Sequence, residues 1–276
     1  MKAFPASFLL FLFQTALGGL FALAATPFQE LERGFYKSTG GVLFILGLLG
    51  FWGEVHLYLK AAPAAGGLGF TAEMALHLLF LIFFGAYLIS LWWERPLFRA
   101  RCFSLSLFTG LAGLILSAAR FHQAPLGSIE TFVYPAGFFL SALLLGGVTV
   151  GMLIGHWYLI DTGQSIEPFV RIFKFFLTFL IAQTIFFWMT LVLLYAVGMP
   201  ETRAALEIAW ANHFWLLLAR VFISQLAPLV LSLMIWRTLQ IPHTMAATGL
   251  FYIALLGVFV GEILSRQILA LTSLPF

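Results

Sequence analysis

The chain has 276 residues, of which 62% are hydrophobic, 17% aromatic and only 9% charged, with a formal net charge of +3. A soluble domain has about 25% charged residues, and so few polar side chains could not cover this much apolar surface in water. The composition therefore excludes a soluble protein. The sequence has no basic stripe and no RNA-binding motif, which argues against nucleic acid as a partner. The apolar composition makes membrane lipid the expected surroundings.

Eight apolar runs follow one another along the chain. A bilayer core of about 30 Å is crossed by a helix of roughly 20 residues, and backbone groups inside the bilayer must be bonded within their own segment. These runs are therefore predicted to be transmembrane helices. The predicted spans are residues 4–25, 40–59, 72–93, 103–119, 134–159, 169–197, 214–236 and 244–264. The sequence thus predicts an all-α integral membrane protein, a single transmembrane domain over residues 1–276 built as an eight-helix bundle.

The distribution of basic residues predicts how the bundle is oriented. We call side A the face that carries the loops after runs 1, 3, 5 and 7, and side B the opposite face. Near side A lie Arg33, Lys37, Arg95, Arg99, Arg101, Arg171, Lys174 and Arg237. Near side B lie Lys2, Lys60, Arg120, Arg203 and Arg266. The excess on side A predicts that it faces the cytoplasm, so that both termini lie on the outer, periplasmic side.

Ionisable side chains within the runs are the candidate functional residues, because a charge in hydrocarbon costs at least about 2.5–3.5 kcal/mol. Most of them fall near side B, together with the amide of Gln14 in the first run. The ionisable candidates are Glu54, His56, Glu73, His77, Arg120, His122, His213, Arg220, Glu262 and Arg266. The four-residue spacing of Glu73 and His77, and of Glu262 and Arg266, places each pair on one helical face.

A quinone site uses this kind of chemistry. It needs an apolar slot, hydrogen-bond donors for the carbonyl oxygens and a base that accepts protons when quinol is oxidised; imidazole and carboxylate groups serve in that role. We predict His56 and Glu73 as the catalytic pair, with His56 bonded to a quinone oxygen and Glu73 relaying protons. The predicted quinone-binding set is completed by Gln14, His77, Arg220, Glu262 and Arg266, and no metal site is predicted.

Several segments, in chain order, resemble one family, the membrane anchor subunits of dimethyl sulfoxide reductase and the related polysulfide reductase and NrfD-type anchors. The matching segments are Phe13-Gln14-Thr15-Ala16-Leu17-Gly18-Gly19, His56-Leu57, Glu73, Tyr134-Pro135-Ala136-Gly137-Phe138-Phe139-Leu140 with Gly146-Gly147, Arg220, and Gly261-Glu262-Ile263-Leu264-Ser265-Arg266. The chain departs from that family after His56-Leu57, where Tyr58-Leu59-Lys60 replaces Gly-Ser-Pro and a following Arg, and at Ser265, which replaces a Gly.

The resemblance implies a quinol-interacting anchor in a bacterial or archaeal cytoplasmic (inner) membrane. Such a subunit oxidises quinol, here menaquinol, without a redox centre of its own and is not catalytic alone. Electrons would pass to a ferredoxin-like iron–sulfur subunit and then to a molybdopterin catalytic subunit. Because Cys102 is the only cysteine and no Cys-x-x-Cys occurs, we expect no iron–sulfur cluster or c-type haem on this chain.

Two other functions fit parts of the pattern. A b-type cytochrome would bind haem between histidines from facing helices, and His56, His77, His122 and His213 lie near one side. A secondary transporter would be expected to show inverted repeats and broken helices near the middle of the membrane, for which the sequence gives no clear sign.

Overall fold

The computed structural model describes residues 3–26, 28, 30–60, 68–122, 125, 127–160, 163–241 and 243–276, apart from the side chains of residues 3, 60 and 68–70. The regular structure in these ranges is entirely helical. The helices are α1 Ala3–Ala24, α2 Arg33–Lys60, α3 Leu68–Ser90, α4 Pro96–Phe121, α5 Glu130–Ile160, α6 Glu167–Val197, α7 Pro200–Val221, α8 Ala227–Gln240 and α9 Thr244–Thr272. A π-helical turn, Phe222–Leu226, joins α7 to α8.

Eight segments are long and apolar enough to cross a membrane, in the order the sequence predicts. Seven are single helices, and the seventh span is formed by α7, the π turn and α8 together. The prediction of a multi-pass protein with eight transmembrane helices is confirmed. Which face meets the cytoplasm stays a prediction, and Lys2 and the side chain of Lys60, which were counted toward it, lie outside the described residues.

Three helices begin seven or more residues earlier than the apolar runs predict. The helix α2 starts at Arg33 rather than 40, α4 at Pro96 rather than 103, and α7 at Pro200 rather than 214. These added turns contain charged residues, which an apolarity criterion excludes, although a helix continues readily into the polar headgroup region. The first part of α7 was predicted to be a loop, and it is instead helical as far as His213, whose φ of −128° and ψ of 23° mark a kink.

The most buried spans, α1 and α5, pack against each other at the centre of the bundle. Two glycines set the distance between them. A Cβ on Gly18 would lie 1.6 Å from the carbonyl oxygen of Ala142, and one on Gly146 would lie 1.8 Å from the carbonyl carbon of Gly18. Small residues allow helix backbones to approach closely in membranes, where van der Waals packing drives association. This close approach fixes the position of the side chains that α1 and α5 carry toward side B.

Candidate functional site

Buried polar residues from α2, α3 and α4 meet near side B. Glu54 comes from the end of α2, Glu73 and His77 from the first turns of α3, and Ser117 and Arg120 from the end of α4. We call these five residues the acid–imidazole cluster. The first four are buried, whereas the Arg120 side chain is 28% exposed and forms the boundary of the cluster with the outside.

The members of this cluster form one connected chain of polar contacts. Arg120 Nη1 lies 3.1 Å from Glu73 Oε2, and the Ser117 hydroxyl donates to Glu73 Oε1 over 2.6 Å. The same hydroxyl oxygen lies 3.5 Å from His77 Nε2, while His77 Nδ1 lies 2.7 Å from Glu54 Oε2. A proton can therefore be passed between the two carboxylates through a hydroxyl and an imidazole, without leaving the protein.

Apolar neighbours hold the imidazole of His77 in this chain. The ring of Phe13 on α1 packs on it, with the ring centroids 3.9 Å apart. On the other side α4 presents Gly113, where a Cβ would lie 2.6 Å from His77 Cδ2. Only glycine therefore lets α4 approach the ring this closely. The position of His77 is thus set by packing from two helices as well as by its hydrogen bonds.

The charges of the cluster nearly balance. With His77 neutral, the two carboxylates and the Arg120 guanidinium give a net charge of −1, and a proton added to His77 brings it to zero. Both ring nitrogens of His77 face oxygen atoms, and a doubly protonated ring donates from both. An oxygen atom therefore faces each ring nitrogen, so the imidazole has a hydrogen-bond partner on both sides.

The same atoms have the spacing of a metal site. One ligand atom from each of Glu54, Glu73 and His77 lies within 4.8 Å of the others, although no metal was predicted from the sequence. In the structure these atoms bond to one another and to Ser117, and Glu73 is also paired with Arg120. The nearby guanidinium supplies the positive charge that a cation would otherwise bring and repels a second cation.

The structure does not bring the predicted pair His56 and Glu73 together. The His56 side chain is exposed, with its ring centroid 6.5 Å from that of Trp52, whereas Glu54 points into the bundle. Residues two apart on a helix are separated by about 200° around its axis, so Glu54 and His56 cannot face the same neighbours. Glu54 takes the place in the cluster that was predicted for His56.

A second polar cluster lies on the other side of α1, also toward side B. We call it the guanidinium cluster: Arg220, Glu262, Arg266 and Gln183. Arg266 Nη2 donates to Glu262 Oε2 over 3.1 Å, and Gln183 Nε2 donates to Glu262 Oε1 over 2.5 Å. All four side chains are buried, and the fully buried Arg266 and Glu262 are four residues apart on α9, as their spacing predicts.

This second cluster has a surplus of donors. Its two guanidinium groups and one carboxylate give a net charge of +1, and Nε and Nη1 of both Arg220 and Arg266 have no hydrogen-bond partner in the described part of the chain. Aromatic rings partly compensate: Arg220 lies 4.6 Å above the ring of Phe187, and Arg266 lies 4.9 Å above that of Phe138. A cavity of about 10 Å³ beside Gln183 and Arg220 has room for about one water molecule.

Gln14 lies between the two clusters and joins α1 to α5. Its Nε2 donates to the carbonyl oxygen of Phe138 over 2.7 Å, and its Oε1 is buried without a partner in the described residues. The preceding residue, Phe13, packs on His77, while the ring of Phe138 lies beneath Arg266. The predicted residue Gln14 therefore lies between the two rings that pack on the clusters, Phe13 beside His77 and Phe138 beneath Arg266.

Four participants lie outside the set predicted for the site: Glu54, Ser117, Arg120 and Gln183. Arg120, like Glu54, was a candidate ionisable residue that was not assigned to it, and Ser117 and Gln183 were missed. A sequence signal for Glu54 exists: Leu43, Gly47, Gly50 and Glu54 recur at helical spacing and share the packed face of α2. Ser117 and Gln183 carry no such signal, since isolated polar residues are common in transmembrane helices.

Comparison with known proteins adds no identity. No model of a known protein family matches the sequence, and no curated protein matches it significantly. The resemblance to reductase anchor subunits therefore stays a prediction, and the argument about function depends on the two clusters.

Proposed function

We propose that the chain is the quinol-interacting membrane anchor of a multisubunit oxidoreductase, exchanging electrons between the quinone pool and a partner iron–sulfur subunit of a molybdopterin-type enzyme. The observation that carries the proposal is the acid–imidazole cluster, a buried chain of polar contacts from Glu73 to Glu54 with its boundary at Arg120 near side B. Buried ionisable groups in a membrane protein are costly and mark functional pathways.

Quinol oxidation requires this kind of chain because it releases two protons along with two electrons. In the proposal, Glu73 accepts the first proton from a quinol hydroxyl, and Ser117 and His77 pass it to Glu54. After Glu54 releases that proton at the side B surface, the second proton follows the same contacts. The electrons pass one at a time to the iron–sulfur subunit, because we expect no redox centre on this chain. Arg120 positions the Glu73 carboxylate through their 3.1 Å contact and stabilises it when it is ionised.

The roles differ from those predicted from the sequence at one point. His77, rather than His56, is the imidazole in contact with the carboxylates. His56, on the exposed face of α2, is in the proposal at most a contact for a quinone at the protein surface. Gln14 and the guanidinium cluster act as supports that hold α1, α5 and α9 in register near side B.

The test uses the complex purified through a tag on this chain, with its partner subunits, and measures oxidation of a reduced menaquinone analogue. Glu73→Gln and His77→Gln should each lower kcat by about 10²–10⁴-fold, the range for loss of a general base, while the subunits still co-purify. Glu207→Gln, an exposed carboxylate on α7, is the matched control and should oxidise quinol at the normal rate.

Two results count against this function. One is a normal rate of quinol oxidation in both Glu73→Gln and His77→Gln. The other is purification of the chain with no iron–sulfur protein under conditions that keep membrane complexes intact. A loss of activity accompanied by loss of co-purifying subunits is resolved by Glu73→Asp, which keeps the carboxylate and should recover assembly and part of the rate.

The structure does not favour the b-type cytochrome. An axial pair needs two imidazoles from facing helices with a nitrogen free for iron. All six histidines are among the described residues, and only His77 is buried. Both of its ring nitrogens already face Glu54 or Ser117.

One feature favours the transporter alternative, the π-helical turn Phe222–Leu226 directly after the buried Arg220. Such turns are frequent at functional sites, and transporters use interrupted helices at their substrate sites. Proteoliposomes containing the chain alone distinguish the two functions. Solute uptake driven by an imposed pH gradient supports the transporter. A pH gradient that stays intact supports the quinol-interacting anchor subunit.

A further inference from the structure

A cavity of about 320 Å³ opens at the side A end of the bundle, far from both clusters. It lies between the ends of α1, α2, α3 and α4. Two aromatic pairs line it: Phe28 with Tyr36, whose ring centroids are 4.7 Å apart, and Tyr87 with Phe103, at 4.9 Å. The proposed quinol chemistry uses none of these residues.

Arg99 lines the same cavity, and no described carboxylate forms an ion pair with it. Arg99 is only 8% exposed, and its Nη1 has no hydrogen-bond partner in the ranges that the structure describes. The guanidinium lies 4.1 Å above the ring of Phe28. A guanidinium in an apolar wall is stabilised most by an anion that it can bond through two N–H groups.

The start of α4 adds positive potential to the same wall. Pro96, the first residue of this 26-residue helix, lines the cavity, and the preceding Arg95 makes no side-chain cap. The N-terminus of a helix carries a partial positive charge and free N–H groups, which together favour phosphate. Pro96, Arg99, Ala100 and Phe103 have the spacing of one helical face, so the charge and the apolar surface belong to one site.

We propose that this cavity binds the phosphate group of an anionic phospholipid from the side A leaflet. Arg99 and the start of α4 bind the phosphate, and the aromatic rings pack on the glycerol and the first methylene groups. A free phosphate ion would leave these rings facing water. Basic pockets between transmembrane helices bind anionic headgroups in this way, and Arg95, directly before α4, adds to the attraction.

The test is native mass spectrometry of the detergent-purified protein titrated with phosphatidylglycerol or phosphatidylcholine. We expect phosphatidylglycerol to bind more tightly, and Arg99→Gln to weaken it about fivefold, which corresponds to about 1 kcal/mol per basic residue near a lipid surface. Arg101→Gln, an exposed arginine on the same helix, is the matched control and should bind phosphatidylglycerol as the parent protein does.

A second variant blocks the cavity and leaves the charge of Arg99 in place. Ala100→Phe fills the cavity from an exposed position of α4 without changing charge, and it should also weaken phosphatidylglycerol. Equal binding of both lipids, or undiminished phosphatidylglycerol binding in both Arg99→Gln and Ala100→Phe, overturns the proposal. Displacement of the lipid by inorganic phosphate alone also overturns it, because it would identify the ligand as a free ion.

Discussion

Replacement of Glu262 by Gln, a side chain of nearly the same shape, should destabilise the protein strongly. Glu262 is the only carboxylate in the guanidinium cluster, so the substitution raises the net buried charge from +1 to +2. It replaces the 3.1 Å ion pair with Arg266 by a neutral contact, and both residues are fully buried. Breaking a buried ion pair from one side costs about 3–5 kcal/mol. Because the Gln carbonyl can still accept from Arg266, we expect about 3 kcal/mol.

The assay is reversible unfolding in mild detergent, followed by the fluorescence of the eight tryptophans. Glu207→Gln is the control and should change the free energy of unfolding by less than about 0.5 kcal/mol. Adding Arg266→Met to Glu262→Gln removes the unpaired cation, so the double variant should be at least about 1 kcal/mol more stable than the sum of the single effects predicts. A cost below about 1 kcal/mol for Glu262→Gln, or strictly additive effects, would refute the reasoning.

Three further predictions follow from contacts elsewhere in the bundle. Gly146→Ala should cost about 3 kcal/mol of unfolding free energy, because its Cβ would lie 1.8 Å from the backbone of α1, whereas Gly41→Ala, with nothing within 4 Å, should cost none. Ser117→Ala should cost about 2 kcal/mol, since its hydroxyl bonds a carboxylate, against about 1 kcal/mol for Ser106→Ala, which bonds a backbone carbonyl. Treatment with a chelator should leave quinol oxidation unchanged; a loss restored by one divalent metal would show that the acid–imidazole cluster holds an ion.

The sequence predicts the fold well because the membrane constrains it so strongly. A run of roughly 20 apolar residues has one structure available in lipid, and all eight spans are where the runs predict them. The prediction of helix bounds fails outside the apolar runs, where lipid does not impose a helical structure. The charged first half of α7, Pro200 to Asn212, is also helical, and a kink at His213 separates it from the apolar second half.

The site is predicted less completely, because helix rotation decides which side chains meet. Glu54 and His56 are equally polar and nearly adjacent, and only packing selects between them. On α2, Gly50 and Gly53 lie against Leu9 and neighbouring atoms of α1, which turns Glu54 toward His77. The spacing of the glycines predicts which face of α2 is packed. It predicts the orientation of Glu54 only once α1 is known to pack against that face.

The net charges of the two clusters are opposite in sign, which affects the cost of burying them in the bundle. With both carboxylates ionised and His77 neutral, the acid–imidazole cluster has a net charge of −1 and the guanidinium cluster +1, so the two clusters taken together are neutral. Uptake of a proton by the first cluster upsets this balance, and the structural link between them is α1, through Phe13 on His77 and Gln14 on Phe138. Because the contact of Gly18 with Gly146 prevents α1 from sliding along α5, the electrostatic change cannot be relieved by moving the helix. Under the proposed function, a proton taken up by the acid–imidazole cluster would instead be released again along its own contacts.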